Sequence, residues 1–216
     1  MVRKGGTEFD EMTSETQVPH VVLKPFERWL QVQRFNRVMP YLHARSRILD
    51  IGCHDGALFK HVAHLVADHA EASVGIDPDI DQPVFQPRYQ LLRGSFPDDL
   101  PAMGTFDVIT MLGVLEHLLP NQLAGVGTRC VQLLRPGGYF LITVPHPFVD
   151  VLLHGLRWLR LVDGVHFEQH HGFDASSVPQ LISCHGLSLD RMRRFELGLN
   201  YLYVFRKGTA ARDDRV

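Results

Sequence analysis

The sequence predicts an α/β fold, a mostly parallel sheet layered between helices, and three observations carry that expectation. Short apolar runs at Ile48–Ile51, Ala72–Asp77, Tyr89–Arg93, Phe106–Leu112 and Tyr139–Pro145 are separated by helical patterns or proline-rich loops, the alternation that βαβ units produce. The first run passes through a glycine-bracketed turn, Gly52-Cys53-His54-Asp55-Gly56, straight into an amphipathic segment from about Ala57 to Asp68. The last two runs, Leu187–Leu197 and Asn200–Phe205, are joined by a short turn at Gly198. A link that short cannot make a parallel crossover, so the two must pair antiparallel.

The remaining elements follow in chain order. The spacing of Phe26, Trp29, Leu30, Phe35, Val38 and Met39 predicts an amphipathic helix stopped by Pro40. Pro78, Pro83 and Pro87 exclude a regular helix over 78–87, so a loop crossover is expected there. Gln122 to Leu134 is helical in pattern, and Arg135-Pro136-Gly137-Gly138 ends it before the strand at Tyr139. Asp174 is placed to cap a helix over Ala175–Cys184, closed by His185-Gly186.

Composition points to one domain. The 216 residues are 45% hydrophobic and 21% charged with a net charge of −2. That is enough apolar material for a full core, and it leaves no basic footprint for a nucleic acid. Cys53, Cys130 and Cys184 are odd in number, widely spaced and without a Cys-x-x-Cys pair. This disfavours a disulfide framework and a zinc site and fits a reducing cytoplasm. Residues 1–18 are polar and acidic without an apolar core, so a tail rather than a signal peptide is expected; residues 19–207 form the expected domain and 208–216 a second tail.

The chemistry begins at Asp50, two residues before Gly52. A nicotinamide site would carry Gly-x-Gly-x-x-Gly, whereas this loop is Gly-x-x-x-Gly, and a carboxylate at the strand end repels pyrophosphate and welcomes a cation. Gly52 and Gly56 permit a sharp turn and a close ligand approach, while the next helix start offers unpaired N–H groups. Asp77 ends the second run about 20 residues beyond the loop, where α/β cofactor sites place an acid on the ribose hydroxyls. That offset also suits a nicotinamide-dependent oxidoreductase, which stands as the alternative.

Leu49-Asp50-Ile51-Gly52-Cys53-His54-Asp55-Gly56 resembles the first motif of class I S-adenosylmethionine-dependent methyltransferases, with His54 where the middle glycine is usual. Phe106 to Leu118 resembles the family's fourth-strand motif, in which an Asp opens the strand and a Glu-His pair, here Glu116-His117, follows it. Leu-Leu-Arg-Pro-Gly-Gly-Tyr at 133–139 is similar to the family as well. The resemblance implies a Rossmann-like three-layer sandwich with a seven-stranded, mostly parallel sheet whose last strand is antiparallel. It implies S-adenosylmethionine as cofactor, held by Asp50, Gly52, Cys53 and Gly56 on the loop and by Asp77 and Pro78 after the second strand. Ser95 stands where the family often has an acid for the adenine amino group, with Phe96 available to pack on the ring, and Met111, Leu112 and Gly113 end the fourth strand beside the cofactor. Phe26 and Trp29 are either lid residues over the cofactor or packing residues of the leading helix.

The implied reaction is in-line methyl transfer to an O, N or C nucleophile of a small molecule. A hydroxyl acceptor needs a proton acceptor, for which His117 and His146 are the first candidates and His166 and His170 the next. Residues 146–172 form the least generic stretch. Asp150, His154 and Arg157 fall at helical spacing among Phe, Val, Leu and Trp over 147–162. That pattern fits a lid over an apolar pocket, a peripheral membrane contact like the insertion of quinone-biosynthesis methyltransferases, a dimer face or an ordinary buried helix; the lid is favoured, and the segment is too interrupted to span a bilayer. The His166–His171 cluster is read as substrate contacts, with no metal expected, because adjacent histidines point apart. A methyltransferase fold kept as a non-catalytic binding protein is the third reading, and His54 is the feature that would support it.

Overall fold

Four consecutive buried residues, Ile48–Ile51, make strand β1, and the sheet grows outward from it on both sides. The computed structural model describes residues 25–65, 71–146, 174–184 and 186–209. Helix α1 (Pro25–Val38) precedes β1, with a 3-10 turn at Met39–Tyr41 where Pro40 interrupts the helix. Helix α2 (Ala57–Val62) is followed by β2 (Ser73–Asp77), β3 (Val84–Phe85) and β4 (Tyr89–Arg93). Then come β5 (Phe106–Leu112), α3 (Pro120–Leu133) and β6 (Leu134–Pro145). Helix α4 (Val178–Ile182), β7 (Leu187–Phe195) and β8 (Asn200–Lys207) complete the described chain.

The strands form one sheet in the order β3-β4-β2-β1-β5-β6-β8-β7. β4, β2, β1, β5 and β6 are mutually parallel, β8 runs antiparallel to β6 and β7, and the two-residue β3 runs antiparallel to β4. The expected antiparallel last strand is therefore present, in a sheet of eight rather than seven strands. The additional one, β3, lies inside the proline-rich loop, where two residues of pairing are too short to leave an alternating pattern in the sequence.

Helices cover both faces. Leu49 and Ile51 of β1 and Ile109 and Met111 of β5 pack with Val126 and Cys130 of α3 and Ile182 of α4. On the other face Ile48 packs with Phe35 of α1 and Leu58 and Phe59 of α2, and Val38 joins Val108, Leu141 and Val204. Successive residues of a strand point to opposite faces, so Asp50, the neighbour of Leu49 and Ile51, belongs to the α1/α2 side.

Polar pins fix the end of the sheet away from the glycine loop. The Arg47 N–H donates to Asp107 Oδ2 at 2.7 Å, its side chain donates to the Ala72 carbonyl at 3.0 Å, and its guanidinium lies 4.5 Å from the Phe106 ring centroid. The Asp that opens β5 is thus a structural residue. Lys207 Nζ donates to the carbonyls of Val131 and Leu134 at 2.6 and 2.7 Å, tying β8 to the C-terminal end of α3.

Several expected boundaries shift for local reasons. β6 starts at Leu134 rather than Tyr139, because Leu134 already pairs with Phe106 and the register resumes at Val108–Tyr139 across an irregularity. Gly138 makes this possible: a Cβ there would sit 2.8 Å from the Asp107 carbonyl oxygen. α3 starts at Pro120, a residue suited to a first helical turn, and Gln122 Oε1 accepts the Leu119 N–H at 2.9 Å. Asp174 caps a 3-10 turn at Ala175–Ser177 through the Ser176 N–H, and Pro179 begins the separate helix α4. The expected helix over 57–68 ends at Val62 and gives way to a turn at 63–65, with 66–68 outside the described residues, and the insertion at 146–172 lies outside them except for His146. The same holds for His185 and for both expected tails, apart from 208–209.

Helices α3 and α4 meet at Gly127, where an added Cβ would come 2.3 Å from the Ile182 carbonyl oxygen. Main chain cannot step aside as a side-chain tip can, so Gly127→Ala should destabilise the protein by about 2–3 kcal/mol despite the better helix propensity of Ala. A lower denaturant midpoint with an unchanged slope is the expected result.

Candidate active site

The carboxyl ends of β1 and β5 meet at one cleft, and the end of β2 is tied to the loop that borders it, at the strand ends where open α/β sheets place ligands. β1 ends in Asp50 and Ile51, and Gly52 then turns the chain with φ +75° while its N–H donates to the Ile76 carbonyl at 2.9 Å. An added Cβ at Gly52 would lie 2.2 Å from Val114 Cγ2, so this backbone passes against the segment after β5 with no room for a side chain. Gly56 repeats the left-handed conformation at φ +72° at the start of α2. His54 adopts φ +48° without being glycine, a conformation that histidine tolerates better than most residues. Its N–H donates to Asp77 Oδ2 at 2.9 Å, which anchors the loop to the end of β2.

The two acids differ in setting. Asp50 is 4% exposed and accepts the Thr110 hydroxyl proton at 2.6 Å through Oδ1. Burial pushes its carboxyl up to about 7; the Thr110 hydrogen bond pulls it down and the charge of Asp77 pushes it further up. Asp77 is buried too, but its two oxygens accept the N–H groups of His54 and Asp79, both at 2.9 Å. Each oxygen retains a lone pair for a further donor.

Helix α1 closes the cleft from above. Gln31, Arg34 and Phe35 line it together with Asp50, Gly52 and Leu112. Arg34 lies over Gly113, whose φ of +74° and missing side chain make the space: an added Cβ would be 2.9 Å from a guanidinium nitrogen. Arg34 Nε is buried without a hydrogen-bond partner. Arg34, Gln31 and Thr110 carry no motif and were not among the residues expected from the sequence. Only the position of Thr110 opposite Asp50 in the β1–β5 register relates it to the acid.

The other expected residues divide between cleft and core. Leu112 lines the cleft, and Gly113 donates its N–H to the Thr143 carbonyl at 2.9 Å. Pro78 is exposed directly after β2. Cys53 lines the cleft, while its thiol packs toward β2, since a Cβ on Gly75 would lie 2.5 Å from its sulfur. Burial pushes that thiol far up, so it stays protonated. Met111 and Phe96 are buried in the α3-side core at 0% and 4% exposure, which makes them packing residues and leaves only the main chain of Met111 near the cleft. The Ser95 N–H donates to Asp99 Oδ2 at 2.8 Å, closing a turn after β4.

His117 is exposed on a 3-10 turn after β5, and His146 directly follows β6 with its ring stacked on Tyr201, centroids 5.3 Å apart. His166 and His170 lie outside the described residues, as does the side chain of Phe26, and Trp29 is half exposed on α1. No group of three or more metal-ligating side chains occurs among the described residues.

Residues 25–190 match the family model for the methyltransferase domain. The chain belongs to that family, the S-adenosylmethionine-dependent methyltransferases. It is 29% identical over 193 residues to a ubiquinone biosynthesis O-methyltransferase of Cereibacter sphaeroides, covering 73% of this chain and 72% of that one. It is also 29% identical over 141 residues to the tRNA U34 carboxymethyltransferase of Aeromonas hydrophila, covering 54% of this chain but 42% of that protein's length. Among solved structures, the N-methyltransferase NodS of Bradyrhizobium japonicum bound to S-adenosyl-L-homocysteine matches with a TM-score of 0.56 at 19% identity, over 85% of this chain and 88% of that one. PH0226 of Pyrococcus horikoshii matches with a TM-score of 0.60 at 15% identity, over 84% and 92%. These structural likenesses show the shared fold.

The cofactor is therefore S-adenosylmethionine, and the cleft suits it: an acid for a cation, a second acid with free lone pairs for hydroxyls, an arginine for a carboxylate, and a loop with no Cβ at its tightest approach. The nicotinamide alternative is set aside by this family and by the Gly-x-x-x-Gly loop.

The Asp50 carboxyl should titrate near 7 in carbon-detected NMR, against an ordinary value of 3.8, and Thr110→Val should move it higher by removing the hydrogen bond that favours the charged form. Since the folded value is raised, ionising Asp50 lowers the stability of the ligand-free protein as pH rises from about 4 through 7. A cationic ligand favours the ionised form, so its binding at pH 6 should release a proton and its affinity should rise between pH 6 and 8. Calorimetry in buffers of different ionisation enthalpy reads that proton directly.

Proposed function

We propose that this protein transfers the methyl group of S-adenosylmethionine to an O, N or C nucleophile of a small molecule by in-line displacement. The observation that carries the proposal is the convergence of Asp50 and Asp77 on the Gly52–Gly56 loop, beneath a guanidinium supplied by α1. When bound, the cofactor supplies an already activated methyl group on a sulfonium. The protein's own task is then to position, to exclude water and, for a hydroxyl acceptor, to receive a proton.

Each residue has a distinct part in this reading. Asp50 faces the ammonium end of the cofactor, and Thr110 holds its carboxylate in place. Asp77 accepts the ribose hydroxyls with the lone pairs that His54 and Asp79 leave free. Arg34 takes the carboxylate, which satisfies its buried Nε side. Leu112 and Gly113 bound the pocket at the end of β5, next to which the acceptor enters. His117 and His146 stand at the ends of β5 and β6 as the proton acceptors for a hydroxyl substrate, with His166 and His170 of the insertion next in line.

The small-molecule acceptor draws support from the Cereibacter sphaeroides relative, named an O-methyltransferase and matched over most of both chains. The tRNA enzyme is matched over less than half its own length. The net charge of −2 also disfavours a polyanionic acceptor.

Calorimetric titration with S-adenosylmethionine, S-adenosylhomocysteine and NADH in parallel tests the reading. Micromolar binding of the adenosyl pair alone, about −8 kcal/mol, is expected, and NADH binding alone would overturn it. Asp77→Asn should weaken the adenosyl ligands roughly 10- to 100-fold, the loss of charge-assisted hydrogen bonds worth about 1.5–3 kcal/mol. With a hydroxyl acceptor found by screening, His117→Ala or His146→Ala should cut turnover about 100-fold while leaving S-adenosylhomocysteine affinity within about twofold. Equal effects on both quantities would remove these histidines from proton transfer.

A further inference from the structure

Beyond Leu112 the cleft side of the sheet continues into three buried oxygens that nothing in the described chain satisfies. Thr143 Oγ1, Glu196 Oε1 and Asn200 Oδ1 are buried and lack a hydrogen-bond partner. They are grouped by the sheet itself. Thr143 lies between Leu112 of β5 and Leu202 of β8, and Asn200 lies opposite Pro145 two pairs further along. Directly opposed residues share a face and so do residues two apart on one strand. Leu112, Thr143, Leu202 and Asn200 therefore all face α1, and Leu112 already lines the cofactor cleft. Glu196 joins them because Asn200 Nδ2 donates a short hydrogen bond to its Oε2, which aims the amide but leaves Glu196 Oε1 and Asn200 Oδ1 open.

Two of these atoms are one-sided. A carboxylate and an amide carbonyl accept hydrogen bonds and cannot donate them, while the Thr143 hydroxyl can do either, so a partner that serves all three must bring N–H or O–H groups. Its charge is constrained as well. Burial pushes the Glu196 carboxyl up, while Arg34, the Asn200 amide and Arg37 all favour its charged form. With Arg34 taken up by the cofactor carboxylate, Arg37 still offsets Glu196, so a further cation finds no uncompensated negative charge to pair with. Native proteins satisfy buried acceptors in most cases, and three together beside a cofactor cleft mark a place where a ligand completes the set.

We infer that Thr143, Glu196 and Asn200 form the subsite that holds an uncharged hydrogen-bond donor of the methyl acceptor, a hydroxyl or a neutral amine N–H, at the ends of β6 and β8. The inference rests on the methyltransferase reading of the adjoining cleft. The subsite fixes which end of the acceptor faces the methyl group and discriminates against molecules that lack such a donor, because their binding would leave the three oxygens unpaired.

Near-isosteric probes separate the possibilities. With S-adenosylhomocysteine present, NMR titrations of the whole protein with phenol, aniline, toluene and benzylamine compare an O–H donor, a neutral N–H donor, no donor and a cation. Phenol or aniline should bind at least fivefold more tightly than toluene and benzylamine, and which of the two is preferred identifies the donor. Thr143→Val keeps the shape and removes one acceptor, so it should reduce the preference over toluene about threefold without changing S-adenosylhomocysteine affinity. Glu196→Gln turns an acceptor into a donor and should abolish that preference. A merely structural Thr143 would show no change in phenol binding and only a gain in stability on substitution by Val. Equal binding of toluene and phenol overturns the subsite, tighter binding of benzylamine overturns its uncharged character, and failure of S-adenosylhomocysteine to bind the unaltered protein overturns the underlying reading and the subsite with it.

Discussion

The approach of the Gly52 main chain to Val114 is the constraint on which the rest of the site depends. The missing Cβ and the left-handed φ let β1 end, turn and release α2 while the segment after β5 closes over the same point. That contact continues the β1–β5 ladder, in which Asp50 lies opposite Thr110 and shares a hydrogen bond with it. The Gly52 N–H to the Ile76 carbonyl then locks the turn to β2, which sets Asp77 against the His54 N–H. One glycine thus fixes the relative positions of both acids.

The two acids differ in their surroundings. Asp50 is enclosed on the α1/α2 side with one side-chain donor, and burial dominates its ionisation. Asp77 sits at a strand end with two main-chain donors, and donors of that kind stabilise a carboxylate. The first is enclosed with a single side-chain donor, and the second is held by main chain on both oxygens. Asp50 lines the cleft and Asp77 is tied to its His54 loop, because the sheet is parallel through β2, β1 and β5.

Much of this was legible in the sequence, and what was not fails for identifiable reasons. β2 and β4 lie where the apolar runs place them to within a residue, and the Gly198 turn requires the antiparallel pair that β7 and β8 form. The start of β6 was hidden because Arg135-Pro136-Gly137-Gly138 has the composition of a helix stop, while the strand absorbs it as an irregularity against Asp107. Asp50 and Asp77 could be read because they have fixed offsets from glycines. Cys53, Met111 and Phe96 could not be divided between core and cleft, since a central parallel strand is apolar on both faces and a loop after it carries no alternation. Arg34 and Thr110 join the site only through contacts between residues far apart in the chain, Arg34 over Gly113 and Thr110 on Asp50, and no local pattern records such contacts.

The unpartnered polar atoms show how the fold distributes stability. Among the described residues the orphaned groups Arg34 Nε, Thr143 Oγ1, Glu196 Oε1 and Asn200 Oδ1 all gather between α1 and the strand ends β5, β6 and β8. Each such group costs about 1–3 kcal/mol relative to a paired one, a cost that packing alone would remove by apolar substitution. At the opposite end of the sheet, Arg47, Asp107 and Lys207 find partners at 2.6 to 3.0 Å. Among the described residues, polar groups at the Arg47 end are paired, and those left short of partners lie at the end of the proposed site. Destabilisation confined to one end of a sheet is the physical mark of a site, because binding there recovers what folding leaves unmade.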